Sequence, residues 1–92
     1  MSILLDVLHY DDLRLKLGGS TTGEGTRCDL VNNWLKAQGA TTGSTNDKER
    51  AFLVGAGMVS KDSLYDMWNA YMLSLGINKG SLADNLRYWC RH

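Results

Sequence analysis

The sequence lacks an excess of charge of either sign, a disulfide framework and a long apolar run, and each absence excludes a class of protein. Lysine plus arginine and aspartate plus glutamate each number 10, so the formal net charge is zero and no basic excess is available to neutralise nucleic-acid phosphates. Two cysteines, Cys28 and Cys90, favour free thiols and an intracellular site of assembly. The apolar run at residues 3–5 is interrupted by Asp6, so we expect neither a signal peptide nor a membrane span.

A chain of 92 residues forms one small domain with little room for a deep catalytic cleft. Its glycine-rich stretch lacks the lysine and the following serine or threonine of a phosphate-binding GxxxxGK[ST] loop. The potential metal ligands Cys28, Cys90, His9 and His92 have neither CxxC nor CxxH spacing. We therefore expect a non-enzymatic protein with no catalytic residue, no cofactor and no metal.

Composition divides the chain into three parts. Residues 1–17 form an N-terminal arm or short helix, residues 18–26 a flexible linker, and residues 27–92 a helical repeat domain. The linker is rich in glycine, serine and threonine, and its glycines lose backbone entropy on ordering with no apolar residue to compensate.

A repeat of 18 or 19 residues emerges when four aspartates are aligned: Asp29, Asp47, Asp66 and Asp84, with separations of 18, 19 and 18. With each aspartate numbered zero, every unit has a hydroxyl residue at −3 and an aromatic at +5. The first three units have glycine at +10, and three of the four have glycine at −4. The hydroxyl residues are Thr26, Ser44, Ser63 and Ser81, and the aromatics are Trp34, Phe52, Tyr71 and Trp89. So many coincidences at one period predict four copies of one structural unit.

Each recurring position of the repeat has a physical reason. The hydroxyl and the aspartate form a variant of the capping box, in which the side chain at −3 accepts a hydrogen bond from a free amide of the first helical turn. The aspartate also lies where the helix dipole favours negative charge. The glycine at +10 can adopt the left-handed conformation that ends a helix. These signals predict helices over residues 27–38, 45–56, 64–75 and 82–91, and so an all-α fold.

An apolar stripe at positions −2, +2, +5, +6 and +9 predicts the buried face of each helix. The expected core aromatics are Trp34, Phe52, Trp68, Tyr71 and Trp89. Because helices of about three turns are marginal alone in water, the units must stack on one another or on a partner. The second unit is the weakest copy, since Glu49 occupies its +2 position and Gly55 lies in its last turn. We expect it to be the most mobile or the most partner-dependent unit.

The N-terminal segment falls outside the repeat register. Its first apolar residues have helical spacing, whereas residues 13–17 alternate as a strand does, and a strand without a partner would be an open edge. We favour a short helix or an extended arm that docks on a neighbouring protein. The candidate partner-binding residues are Ile3, Leu4, Val7, Leu8, Leu13, Leu15 and Leu17.

The repeat resembles short helical repeats of bacteriophage proteins, often from virion-structure gene clusters, whose units read like G-S-x-N-D-x-W-x-x-Y-L-x-x-x-G. The matching stretches are residues 43–47, 66–76 and 80–89, and the resemblance covers about the last two thirds of the chain. The second unit departs from the pattern with Lys48, Glu49 and Arg50, and the first has Cys28 in place of the usual asparagine.

This resemblance implies an accessory structural role in a phage particle, in the capsid, portal or tail. It also implies contacts with other virion proteins, several copies in a symmetric assembly or a homo-oligomer, and assembly in the host cytoplasm. A small helical DNA-binding or regulatory module is the alternative, because consecutive short helices can resemble helix-turn-helix units. Its candidate recognition helix, residues 82–91, offers Asn85, Arg87 and Arg91.

Overall fold

In the computed structural model, residues 2–18 and 25–92 are described, and every regular element in these ranges is helical. Two short helices open the chain, α1 at Ile3–Val7 and α2 at Tyr10–Leu13, and α2 runs into a π-helical turn at Arg14–Gly18. Four longer helices follow: α3 at Arg27–Ala37, α4 at Thr45–Gly55, α5 at Leu64–Ser74 and α6 at Leu82–Arg91. The all-helical prediction is thus confirmed for the described residues. The linker predicted at residues 18–26 falls mainly on residues 19–24, which lie outside them.

The four longer helices begin at the residues that the Ser/Thr-x-x-Asp motifs predict. At α3 the Thr26 hydroxyl oxygen accepts a hydrogen bond from the Asp29 amide at 3.1 Å, and the Asp29 carboxylate accepts one from the Thr26 amide at 3.2 Å. Two further reciprocal pairs start α4 and α6, namely Ser44 with Asp47 and Ser81 with Asp84. These bonds satisfy amides that would otherwise have no partner in the first turn.

The cap of α5 differs from the other three because position −4 is not glycine there. Ser63 accepts a hydrogen bond from the Asp66 amide, but at this described cap the Asp66 carboxylate does not return one. In the neighbouring unit a Cβ placed on Gly43 would lie only 2.8 Å from Cβ of Asp47. The three glycines at −4 all have positive φ, and at Gly43 and Gly80 an added Cβ would also crowd the carboxylate that folds back onto the cap. Asp62 occupies this position before α5.

Glycine with positive φ ends each of the first three long helices. Gly39, Gly57 and Gly76 have φ angles of 96°, 97° and 76°. In each case the following residue donates its amide to the carbonyl five residues earlier, as Ala40 does to Leu35 at 3.0 Å. The helices end one residue before the predicted bounds, because residues 38, 56 and 75 have ψ near zero and act as caps.

The elements form a closed arrangement rather than an open stack. Helix α3 packs on α4, α4 on α5 and α5 on α6, while the π turn contacts both α6 and α3. Helix α2 also contacts α3 and α6, and α1 packs on α3 and α5. The result is a compact body of 34 × 30 × 19 Å with a radius of gyration of 12.3 Å. The N-terminal segment thus joins the first long helix to the last.

The buried face of the helices lies nearer their starts than the sequence predicts. Residues at +2 and +6 are buried in all four units, but +1 is buried as well, and Leu75 at +9 is 47% exposed. The glycine-led turn explains the shift, because it directs the residue at +11 inward. Ala40 and Ile77 at that position are buried. Among the described residues the longest helices have 11 residues, and none has the length and apolarity that a membrane crossing requires.

Candidate functional site

The seven apolar side chains predicted to bind a partner lie mostly in the chain's own core. Ile3, Leu4, Leu8 and Leu13 are buried, and Val7 and Leu17 pack against the same cluster. Leu15, on the π turn, is 64% exposed. The expectation that this segment docks on a neighbouring protein therefore needs correction, because six of the seven side chains pack within the chain. Its conformation is helical, not the strand that the alternation at residues 13–17 allowed.

The side chain of Glu49 on α4 receives the start of α1. This carboxylate is fully buried and accepts hydrogen bonds from the amides of Ile3 and Leu4 at 3.1 and 3.4 Å. It also accepts one from the hydroxyl of Ser2, the N-cap of α1, and one from the indole nitrogen of Trp68 at 2.9 Å. Two unpaired amides of the first helical turn are thereby satisfied by a side chain that is distant in sequence.

Burial and hydrogen bonding act on Glu49 in opposite directions. Burial raises the pKa of this carboxyl above its ordinary value, because removal from water disfavours the charged form. The bonds from Ser2, Trp68 and the two amides oppose that rise, since they favour the ionised form, but burial is the larger effect. Glu49, on which the prediction of a weak second unit was based, is therefore the acceptor for the N-terminal segment.

Arg27, at the start of α3, binds the opposite end of α1. Its guanidinium donates hydrogen bonds to the backbone carbonyls of Leu5 and Leu8, where α1 ends. A carboxyl side chain thus lies at the amide end of this five-residue helix and a guanidinium at its carbonyl end, and the guanidinium is where the helix dipole favours positive charge. Arg27 stands at −2, where α5 and α6 have leucine, so both contacts with α1 use residues that depart from the repeat pattern.

A third polar contact fixes α2 to α6. Asp12 is buried, and its carboxylate accepts a hydrogen bond from the His9 amide at 3.2 Å, which caps α2. It also lies 3.4 Å from a guanidinium nitrogen of Arg91 and 3.9 Å from one of Arg87. The spacing of His9 and Asp12 matches the cap spacing of the longer helices, and it is the sequence signal for this contact.

The four aromatics at +5 form a closed cycle of ring contacts. Their centroids are separated by 4.9 Å for Trp34 and Phe52, 5.5 Å for Phe52 and Tyr71, 6.4 Å for Tyr71 and Trp89, and 5.5 Å for Trp89 and Trp34. Trp68 is fully buried and contacts three of the four. The four pairs of the cycle are edge-to-face, and such pairs contribute about 0.5 to 1.5 kcal/mol each beyond their buried area. The five aromatics therefore belong to the core, with Trp34, Phe52 and Tyr71 half-buried at its margin.

An open groove of about 740 Å³ lies beside α6 and the turn before α2. Its lining includes His9, Lys79, Arg87, Tyr88, Arg91 and His92. The rings of Tyr88 and His92 stack with centroids 4.1 Å apart, and the Lys79 ammonium lies 4.5 Å from the centroid of the Tyr88 ring. The groove thus combines three cationic side chains with an aromatic pair.

Asn85 does not belong to this groove, although the sequence proposes it as a DNA-reading residue. It is buried, and its side-chain oxygen accepts a hydrogen bond from the Lys79 amide at 2.6 Å. That bond fixes the turn before α6, so the amide side chain is not presented to a ligand. Arg87 and Arg91 lie near Asp12, which partly neutralises them.

Neither cysteine lines the groove that holds the two histidines. Cys28 is exposed on α3, whereas His9 and His92 line the groove. Cys90 is buried, and burial raises the pKa of its thiol to about 12, so it stays protonated at neutral pH. In the described part of the chain, no three His, Cys, Asp or Glu side chains are grouped as metal ligands would be.

Comparison with known proteins gives no relative. No protein family, no curated protein and no solved structure matches the chain.

Proposed function

We propose that this protein is a non-enzymatic structural protein of a bacteriophage, an accessory component of the capsid, portal or tail that acts through protein–protein contacts. On this proposal it is assembled in the host cytoplasm, becomes part of the virion, and is present as a homo-oligomer or in several symmetric copies. The resemblance of its units to short helical repeats of phage proteins is the reason for proposing a place in a phage particle. The exposed surface of the molecule supports action through protein–protein contacts.

The supporting observation is a set of large apolar side chains that remain exposed although the N-terminal segment already packs on the body. They are Leu15, Val54, Val59, Tyr65, Leu73 and Leu75, with exposed fractions from 43% for Val54 to 64% for Leu15. Exposed apolar surface favours contacts with another protein, because such contacts remove it from water. Val54 and Leu73 also occupy the same position, +7, on adjacent helices.

The architecture proposed with this function is four copies of one capped helical unit, preceded by the N-terminal segment and a Gly/Ser/Thr linker. Its support is the recurrence of the same cap, the same closing glycine and the same aromatic contact along the chain. Closure of the aromatic cycle explains why such short helices persist, since each packs on two neighbours.

Mass spectrometry of purified phage particles tests the proposal. We expect the chain in the particles at a fixed ratio to the major structural proteins. Leu73→Ser should lower the amount of the chain in the particles without changing its thermal melt. Asn78→Ser, a change at an exposed polar position, should leave that amount unchanged. Absence of the chain from particles would overturn the proposal, and salt-dependent binding of the purified protein to duplex DNA would favour the regulatory alternative.

A further inference from the structure

The groove beside α6 is a local basic site on a protein with no net charge. Lys79, Arg87 and Arg91 contribute three cations, and the Arg91 and Arg87 side chains are 59% and 36% exposed. The carboxylate in the lining, that of Asp84, accepts hydrogen bonds from the Ser81 amide and hydroxyl and so is engaged with its own helix cap. The Asp12 carboxylate lies behind the arginines with only 5% of its side chain exposed.

We propose that this groove binds an acidic segment of a partner protein, with glutamate or aspartate carboxylates received by Lys79 and Arg91. Arginine pairs with a carboxylate through two parallel hydrogen bonds, and lysine supplies a compact point charge beside it. The groove holds three of the ten Lys and Arg residues and one of the ten Asp and Glu residues, so the rest of the chain has seven basic and nine acidic residues. Attraction of an acidic segment is therefore concentrated at this groove.

The size and the aromatic pair favour a peptide over a nucleic-acid strand. A groove of about 740 Å³ accommodates a few residues, whereas a strand is bound along an extended basic path. The Tyr88 ring already contacts His92 and the Lys79 ammonium, so it is not a bare platform for a base. This inference rests on the proposed protein–protein function and adds the chemistry of the partner. The groove is a surface distinct from the exposed apolar side chains described above.

Fluorescence anisotropy with labelled pentaglutamate and the purified full chain tests this inference. We expect saturable binding that weakens as salt is added. Lys79→Gln and Arg91→Gln should each weaken it by about fivefold, and Arg91→Lys should weaken it less. The matched controls are Lys36→Gln and Lys61→Gln, which make the same charge change at exposed positions outside the groove and should leave the affinity unchanged. Thermal melts of all five variants identify any that are unfolded.

Three results would overturn the inference. The first is no saturable binding, and the second is equal weakening by the control variants, which indicates a diffuse charge effect. The third is tighter binding of labelled oligothymidylate that is lost in Lys79→Gln, which indicates a nucleic-acid site. Because the assay uses purified protein, its failure leaves the particle test unaffected, and absence from particles leaves the peptide result unaffected.

Discussion

The indole nitrogen of Trp68 donates a hydrogen bond of 2.9 Å to the carboxylate of Glu49, although both residues stand at +2 of their units. The other two residues at this position, Val31 and Leu86, are apolar and fully buried. A charged residue is accommodated here because the start of α1 supplies further donors to the same carboxylate. The N-terminal segment and the second unit are therefore complementary, and each explains an irregularity of the other.

Substitution of Glu49 tests whether its carboxylate satisfies the buried donors. Glu49→Ala should lower the free energy of unfolding by at least about 2 kcal/mol, because the amides of Ile3 and Leu4 and the indole of Trp68 lose their acceptor. Glu49→Gln keeps one acceptor oxygen and should change stability by less than about 1 kcal/mol at neutral pH. Urea denaturation followed by tryptophan fluorescence measures both. Equal loss in the two variants would show that the acceptor oxygen is not what matters.

The free energies of unfolding of wild type and Glu49→Gln should diverge as pH changes. Burial raises the pKa of Glu49 in the folded state, so the unfolded chain ionises first as pH rises. The contribution of Glu49 to stability is therefore fully present below the unfolded pKa and is lost as pH rises through the folded pKa. We expect wild type to lose stability relative to Glu49→Gln as pH rises from the ordinary pKa of a glutamate through the raised pKa of the folded state, as measured by urea denaturation at several pH values. A difference that is constant, or that grows in favour of wild type, contradicts this prediction.

Substitution of two leucines in the N-terminal segment distinguishes packing of this segment within the chain from docking on a partner. Leu8 is buried and Leu15 is 64% exposed. Leu8→Ala should destabilise the isolated protein by about 2 to 5 kcal/mol, as removal of a buried leucine side chain does. Leu15→Ala makes the same chemical change at the surface and should alter stability by no more than about 0.5 kcal/mol. Thermal denaturation of both variants decides the point, and a small effect of Leu8→Ala would mean that the segment is not held by the body.

The sequence predicted the local structure of the long helices better than it predicted their assembly. Helix starts depend on residues within one turn, such as Ser44 and Asp47, and their hydrogen bonds follow from spacing alone. The closing glycines act through their own φ angle and are equally local. The capping residues recur in all four units and the closing glycine in the first three, so their regular spacing made them visible in the sequence.

What the sequence left unpredicted are contacts between residues that are far apart along the chain. Glu49 binds the start of α1 from 45 to 47 residues away, and Arg27 binds its end from 19 to 22 residues away. Periodicity indicates which face of a helix is buried but not which segment covers it. The signal for these contacts was negative: Glu49 and Arg27 stand where the repeat pattern predicts an apolar residue. A charged residue at a position predicted to be buried requires a partner, which the pattern does not identify.

Two glycines of the second unit give opposite predictions for the same substitution. Gly43 has a φ of 89°, and an added Cβ would lie 2.8 Å from Cβ of Asp47, whose carboxylate accepts a hydrogen bond from the Ser44 amide at 3.1 Å. Gly43→Ala should therefore lower the free energy of unfolding by about 1 to 3 kcal/mol, through backbone strain and loss of that bond.

Gly55 ends α4, and a Cβ added there meets no atom within 4 Å. Gly55→Ala should raise the free energy of unfolding by up to about 1 kcal/mol, because alanine loses less backbone entropy in a helix. Chemical denaturation of the two variants beside wild type measures both changes. If Gly43→Ala does not change stability, position −4 does not require glycine. Asp62 would then not explain why the Asp66 carboxylate accepts no hydrogen bond at the Ser63 cap.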